Sequence, residues 1–139
     1  MKFSIVMATY NAEKYLERAL ASIFCQTYPN YELIIQDGGS TDGTTAILEK
    51  NLPKNIWVSA PDNGIYDAWN KALTRATGDW VIFLGADDCF MGENVLVRCS
   101  HHMKRLTSNI SFVYGAIAKG IDGNIHDLVN TSLMDVYRR

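Results

Sequence analysis

Short β-branched or aromatic runs alternate along this chain with stretches whose apolar residues recur at helical spacing, and polar, glycine-containing turns separate them. Phe3 to Ala8, Tyr31 to Gln36, Ile56 to Ser59 and Trp80 to Leu84 read as strands. The last, WVIFL, has too little polar alternation for a strand with one face in water, and predicts a buried central strand. Tyr15, Leu16, Ala19, Leu20, Ile23 and Phe24 mark one face of a first helix; Glu13, Lys14, Glu17 and Arg18 fall off it, and Asn11 is its predicted N-cap. Thr44 to Lys50 predicts a short second helix that Pro53 breaks. In a third helix, Ile65 to Ala76, the residues Ile65, Ala68, Trp69, Ala72, Leu73 and Ala76 share one face, Asp67, Asn70, Lys71 and Thr74 share another, and Gly78 is the expected stop. Asn94 to Leu106 predicts a fourth helix with Leu96, Cys99 and Met103 inward. Phe112 to Ala118 and Ile125 to Leu128, joined near Asp122 and Gly123, predict a hairpin. The pattern is that of an α/β domain, a mostly parallel sheet flanked by helices with a C-terminal β-hairpin, and 139 residues fit one such domain.

Composition narrows the functional classes. The formal charge is −2 and no basic stripe exists, which argues against a nucleic-acid partner held through phosphates. Cys25, Cys89 and Cys99 are odd in number and lack metal-ligand spacing, as expected of reduced thiols in a cytoplasmic protein. The N-terminus has no long apolar stretch with a small-residue cleavage site, and no run approaches the length of a transmembrane segment. His101, His102 and His126 show no ligand pattern and read as surface or packing residues.

Candidate chemistry gathers where predicted strands end. Asp87 and Asp88 follow Gly85 and Ala86 at the carboxyl end of WVIFL, where open α/β sheets build their ligand crevice. Adjacent carboxylates repel, and a divalent cation with oxygen ligands relieves that repulsion; a solvated Asp-Asp turn is the alternative. Thr9, Tyr10 and Asn11 close the first strand. Asp37 closes the second and leads into Gly38, Gly39, Ser40, Thr41, Asp42, Gly43 and Thr44, a turn that lets backbone amides approach a ligand at a helix N-terminus. It matches neither the dinucleotide fingerprint nor the phosphate-binding loop, and a purely structural turn would need the same glycines. Pro61, Asp62, Asn63 and Gly64 form another polar strand exit. Asp67 and Lys71 follow it and are candidates for ligand contact, against the commoner reading of a solvated helix face.

The blocks SIVMATYNAEKYLERALASI, ELIIQDGGSTDGT, DNGIYDAWNKAL and FLGADD, in this order and spacing, resemble the successive motifs of family 2 glycosyltransferases with the GT-A fold. The resemblance runs strongly from Phe3 to about Asp88. It implies that Thr9, Tyr10 and Asn11 line a nucleotide pocket, that Asp37 hydrogen-bonds the base or ribose, and that Gly39 belongs to the nucleotide-sugar site. It also implies that Asp67 and Lys71 lie near ribose and diphosphate, although Trp69 stands where many members carry Arg. Asp87 and Asp88 resemble the D-x-D-type motif. With Gly85 or Ala86 at its first acidic position, Asp88 is the implied direct ligand of Mg²⁺ or Mn²⁺, and Asp87 the contact to ribose or a metal-bound water. A cation there would offset charge developing on a diphosphate leaving group.

The activity implied is inverting transfer of a sugar from a nucleotide-diphospho-sugar, by default a UDP-sugar, to an acceptor hydroxyl in polysaccharide or lipid-linked glycan assembly. The expected location is the cytoplasm, in peripheral contact with the inner membrane face, the lack of a long apolar run arguing against a transmembrane segment. Members of the family are generally longer and take their general base, usually an Asp, from beyond the hairpin. Of the later carboxylates Asp122, Asp127 and Asp135, none is assigned as base. The expectation is a donor-binding part lacking the acceptor-binding part, with exposed apolar surface and self-association. A non-catalytic nucleotide-sugar-binding module or inactive fragment is the alternative. A sugar-1-phosphate nucleotidyltransferase would carry a basic glycine-rich loop after the first strand, which ATYNAEKY is not.

Overall fold

A computed structural model describes residues 1–105, 117–121 and 124–129, the last two segments by their backbone alone. The chain divides into two compact units, Met1–His101 and His102–Arg139. In the first unit β1 (Phe3–Thr9), α1 (Leu16–Phe24), β2 (Tyr31–Asp37), α2 (Thr44–Asn51), β3 (Trp57–Ser59), α3 (Ile65–Leu73) and β4 (Trp80–Gly85) follow one another, and α4 (Val95–Met103) runs across the boundary. The four strands form a parallel sheet in the order β3-β2-β1-β4. In the second unit β5 (Ile117–Ile121) and β6 (Asn124–Val129) pair antiparallel, with a register shift between Lys119 and Gly120. The hairpin expectation is met in kind, and its first strand extends to Ile121, past the predicted end at Ala118; residues 112–116 and the turn at Asp122 and Gly123 lie outside the described residues.

β1 is the core strand. Phe3, Ile5, Val6 and Met7 are fully buried because helices cover both faces and strands flank both edges. Strand alternation sends Val6 and Ile34 to one face. There they meet Ala72 of α3, with Trp69, Leu73, Ala76 and Val81 packed around them. On the other face Phe3 meets the ring of Tyr28 at 5.5 Å, and the hydroxyl of Tyr31 donates to the carbonyl of Ile23 in α1. Leu16, Leu20 and Ile23 supply the buried stripe of α1, as their spacing predicts.

Four local expectations are corrected. Among the described residues WVIFL stands at an edge rather than the centre of the sheet: β4 pairs with β1 only, Phe83 is 46 % exposed, and its unalternating apolar residues are mostly half-buried. Asn11 does not cap α1, which begins at Leu16 after Tyr15; Asn11 takes φ +47° and bonds to a neighbouring loop instead. Ile65, expected inward, is 48 % exposed at the first turn of α3. That helix stops at Leu73, its chain tightening through bonds from Arg75 and Ala76 amides to Ala72 and Leu73 carbonyls. Gly78 therefore does not terminate it. A Cβ there would stand 2.7 Å from the Ser4 amide and 2.9 Å from the Lys2 carbonyl, so glycine is needed for close passage against β1. No helix among the described residues is long and apolar enough to cross a membrane.

Candidate active site

The parallel register brings three polar residues into one row at the carboxyl edge of the sheet: Thr9 pairs with Asp37, and Asp37 with Ser59. Asp37 is 0 % exposed. Its Oδ1 accepts hydrogen bonds from Thr9 Oγ1 at 2.9 Å and Ser40 Oγ at 2.5 Å. Its Oδ2 accepts from the Gly39 amide at 3.1 Å, the Ser40 amide at 2.9 Å and Ser59 Oγ at 2.6 Å. Burial alone would push this carboxyl's pKa up. The bonds from Ser40, Ser59 and Thr9 outweigh it and hold the group below the usual carboxylate range.

Around Asp37 the loop after β1 is laced to the loop after β2. The Asn11 amide donates to Ser40 Oγ, and Asn11 Oδ1 accepts from the Thr41 amide at 2.9 Å. The Ala12 amide donates to Thr44 Oγ1 at 2.7 Å, the Glu13 amide to Asp42, and Glu13 Oε2 accepts from the Gly43 amide at 2.6 Å. Gly39, at φ +83°, occupies the left-handed conformation that places its own amide and that of Ser40 on the Asp37 carboxylate. Tyr10 stands at the rim, 64 % exposed.

The loop after β3 is fixed from two sides. The Ala60 amide donates to the Asp37 carbonyl, while Lys71 Nζ donates to the Pro61 carbonyl at 3.1 Å and to Asp67 Oδ2 at 2.9 Å. Asp67 Oδ2 also accepts from the Asn63 amide at 2.9 Å, which, with Lys71, lowers its pKa. Asp67 and Lys71 thus stand together, one helical turn apart, and both grip this loop. Trp69 faces the sheet; its ring lies 4.8 Å from Phe83 and 5.7 Å from Tyr66, so the position brings no charge to the site.

At the end of β4 the chain turns tightly: the Asp88 amide donates to the Gly85 carbonyl, and Asp88 Oδ2 accepts from the Gly85 amide, both at 3.1 Å. A Cβ on Gly85 would lie 2.8 Å from Asp87 Oδ1 and 2.9 Å from Asp88 Oδ2. The two exposed carboxylates therefore converge on a space that only glycine leaves open. Among the described residues no group of three His, Cys, Asp or Glu side chains is placed to hold a metal ion. Two converging carboxylate oxygens suit a magnesium-like cation, which keeps waters and takes further oxygens from a substrate's phosphates.

Sequence reading missed three residues at this edge. Arg18, assigned to the solvent side of α1, donates from Nη2 to the Asp87 carbonyl at 3.1 Å. Ser59 and Asp62 also belong here; Ser59 was legible only as the polar last residue of a strand, and Asp62 as part of a polar exit. Asp122, Asp127 and Asp135 lie outside the described side chains, as does His126. Among the described residues His101 and His102 belong to no group of three potential metal ligands.

Residues 4–129 match the family described as Glycosyl transferase family 2. A PGL/p-HBAD biosynthesis glycosyltransferase of Mycobacterium bovis is 41 % identical over 100 residues, spanning 69 % of this chain and 39 % of the relative. The UDP-Glc:alpha-D-GlcNAc-diphosphoundecaprenol beta-1,3-glucosyltransferase WfgD of Escherichia coli is 34 % identical over 114 residues, covering 81 % and 44 %. The crystal structure of Staphylococcus aureus TarS 1-349 in complex with UDP-GlcNAc superimposes with a TM-score of 0.74 at 31 % identity, over 89 % of this chain and 36 % of that one. A mannosyltransferase from Pyrobaculum calidifontis, solved with GDP-Man and Mn2+, shares the fold at a TM-score of 0.73 and 23 % identity. The chain spans about two-fifths of the length of these relatives. The fold is thus of the GT-A type, and the chain belongs to glycosyl transferase family 2.

Proposed function

We propose that this chain binds a nucleotide-diphospho-sugar at the carboxyl edge of its sheet and forms the donor part of an inverting glycosyltransferase acting in polysaccharide or lipid-linked glycan assembly. The observation that carries the reading is the convergence of four strand exits: the Asp37 network, the laced loops of Asn11 and Gly39, the loop gripped by Asp67 and Lys71, and the Asp87–Asp88 turn. A UDP-sugar is the donor we infer, in keeping with the UDP-GlcNAc bound by TarS and the UDP-Glc in the name of WfgD.

The residues divide the work by position. Thr9, Tyr10, Asn11 and Gly39 shape the nucleoside end, with Asp37 beneath them. Asp67 and Lys71 stiffen the loop beside it, so that little ordering remains to be done when the donor arrives. Asp88, with Asp87, would hold Mg²⁺ or Mn²⁺ against the diphosphate. When bound, such an ion stabilises the negative charge of the leaving nucleoside diphosphate as a Lewis acid. Arg18 holds the Asp87–Asp88 turn by donating to the Asp87 carbonyl. We place the protein on the cytoplasmic side, its lipid-linked acceptor presented at the inner membrane face, and expect self-association through exposed Tyr66 and Phe83.

Titration calorimetry of UDP, GDP and dTDP with and without Mn²⁺, repeated on Asp88→Ala, tests the donor site. Metal-dependent binding of one nucleotide that the substitution abolishes is the expected result. A folded chain that binds none of the three under either condition refutes the reading.

A further inference from the structure

The nucleoside of a donor presents hydrogen-bond donors, the imide N–H of uracil and the ribose hydroxyls, and a carboxylate at the sheet edge is a suitable acceptor for them. Two carboxylates stand where the β2 and β3 exits meet, and their surroundings differ. Asp37 is 0 % exposed and takes five protein donors on two oxygens. A carboxylate has about four lone-pair sites, so nothing remains for a ligand unless a protein bond breaks.

Asp62 is half-buried. Its Oδ1 accepts from the Gly64 amide at 2.9 Å, and its Oδ2 has no donor among the described residues. That free oxygen lies over Gly38, where a Cβ would come within 2.6 Å of it, so the absence of a side chain at Gly38 is what gives the carboxylate its place. The supporting loop is held on both sides of Asp62, through the Pro61 carbonyl by Lys71 and through the Asn63 amide by Asp67. One oxygen is thereby pinned and the other left open, on a rigid loop at the ligand edge.

We propose that Asp62 is the carboxylate that accepts a hydrogen bond from the donor's nucleoside, and that Asp37 is a positioning residue holding the strand exits beneath it. This rests on the donor-site reading above. The Asp67–Lys71 pair then serves the site by fixing the loop that carries Asp62.

Calorimetric affinities for UDP, CDP and 2′-deoxy-UDP in the presence of Mn²⁺, measured on the unsubstituted chain, Asp62→Asn and Asp37→Asn alongside thermal melts, separate the two roles. CDP lacks the N3–H of uracil, and 2′-deoxy-UDP lacks a ribose hydroxyl. Asp62→Asn keeps the bond to Gly64 and should melt near the parent, yet bind UDP about tenfold more weakly, the scale of one lost charge-assisted bond. The preference for UDP over one analogue should shrink with it: over CDP if Asp62 meets the base, over 2′-deoxy-UDP if it meets the ribose. Asp37→Asn should lower the melting temperature and weaken all three nucleotides by a common factor, leaving both preferences intact. Unchanged affinity in Asp62→Asn, or a lost preference in Asp37→Asn, overturns the proposal. If the unsubstituted chain binds none of the three, the donor-site reading falls and takes this proposal with it, a failure visible before any substitution is compared.

Discussion

Replacing Asp37 by Asn and by Ala puts the buried network at the sheet edge to a quantitative test. Asn can place its oxygen where Oδ2 lies and keep the Gly39 amide, the Ser40 amide and Ser59 Oγ as donors. Its NH₂ then faces Thr9 Oγ1 and Ser40 Oγ, hydroxyls that can turn and accept. The surviving bonds lose charge assistance, about half their strength, but the burial of a charge is also relieved; a net cost of about 2 kcal/mol follows. Ala removes every acceptor. The two backbone amides cannot turn away, and at about 1–3 kcal/mol for each stranded donor, with further loss from the hydroxyls, the cost is about 4 kcal/mol. Ser59→Ala deletes one donor at the edge and should cost about 1 kcal/mol. Urea unfolding at pH 7, with slopes compared to confirm that the same surface is exposed, reads all three. The order Ala, Asn, Ser59→Ala is expected. An Asp37→Ala chain within about 1 kcal/mol of the parent, or an Asn variant as unstable as Ala, would refute the claim that five protein donors rely on this carboxylate.

The other expectations concern the two ends of the sheet. Gly85→Ala should fold, because the atoms its Cβ meets are carboxylate tips that can swing, but displacing Asp87 and Asp88 should weaken Mn²⁺-dependent UDP binding about tenfold or more; unchanged titrations would count against a cation between them. Gly78→Ala meets the unyielding Ser4 amide and Lys2 carbonyl, and should cost about 1–3 kcal/mol in urea unfolding without altering nucleotide preference. Burial would raise Glu32, but bonds from Lys2 Nζ, Ser4 Oγ and the Thr77 amide and hydroxyl bring its pKa down to about 2. A carboxyl depressed below its unfolded value stabilises the fold above about pH 4 and loses that contribution as pH falls toward 2. Unfolding free energy should therefore drop across that window, and Glu32→Gln should flatten the drop by about 1–2 kcal/mol, discounted for its partly solvated Lys2 partner.

Alternation of strand runs with helical stripes was sufficient to predict the α/β class, all four strands of the sheet and the helices between them, because period and turn chemistry are local properties of a chain. The motif blocks likewise pointed to the family and to Asp37, Asp87 and Asp88 as residues at strand exits. Strand order was not legible: the apolar run WVIFL suggested the centre, yet among the described residues FSIVMA is the strand flanked on both edges, since burial on both faces and both edges depends on which strands flank it. Nor could spacing distinguish a glycine that ends a helix from Gly78, whose neighbour Ser4 is 74 residues away. The same limit applies to the site. Local sequence supplied acidic residues at three of the four exits, but only the parallel register, which aligns Thr9, Asp37 and Ser59 and folds Asp62 over Gly38, decided which carboxylate is consumed by the protein and which keeps an oxygen free among the described residues. Hydrogen bonds between residues distant in the chain exist only once the strands are side by side.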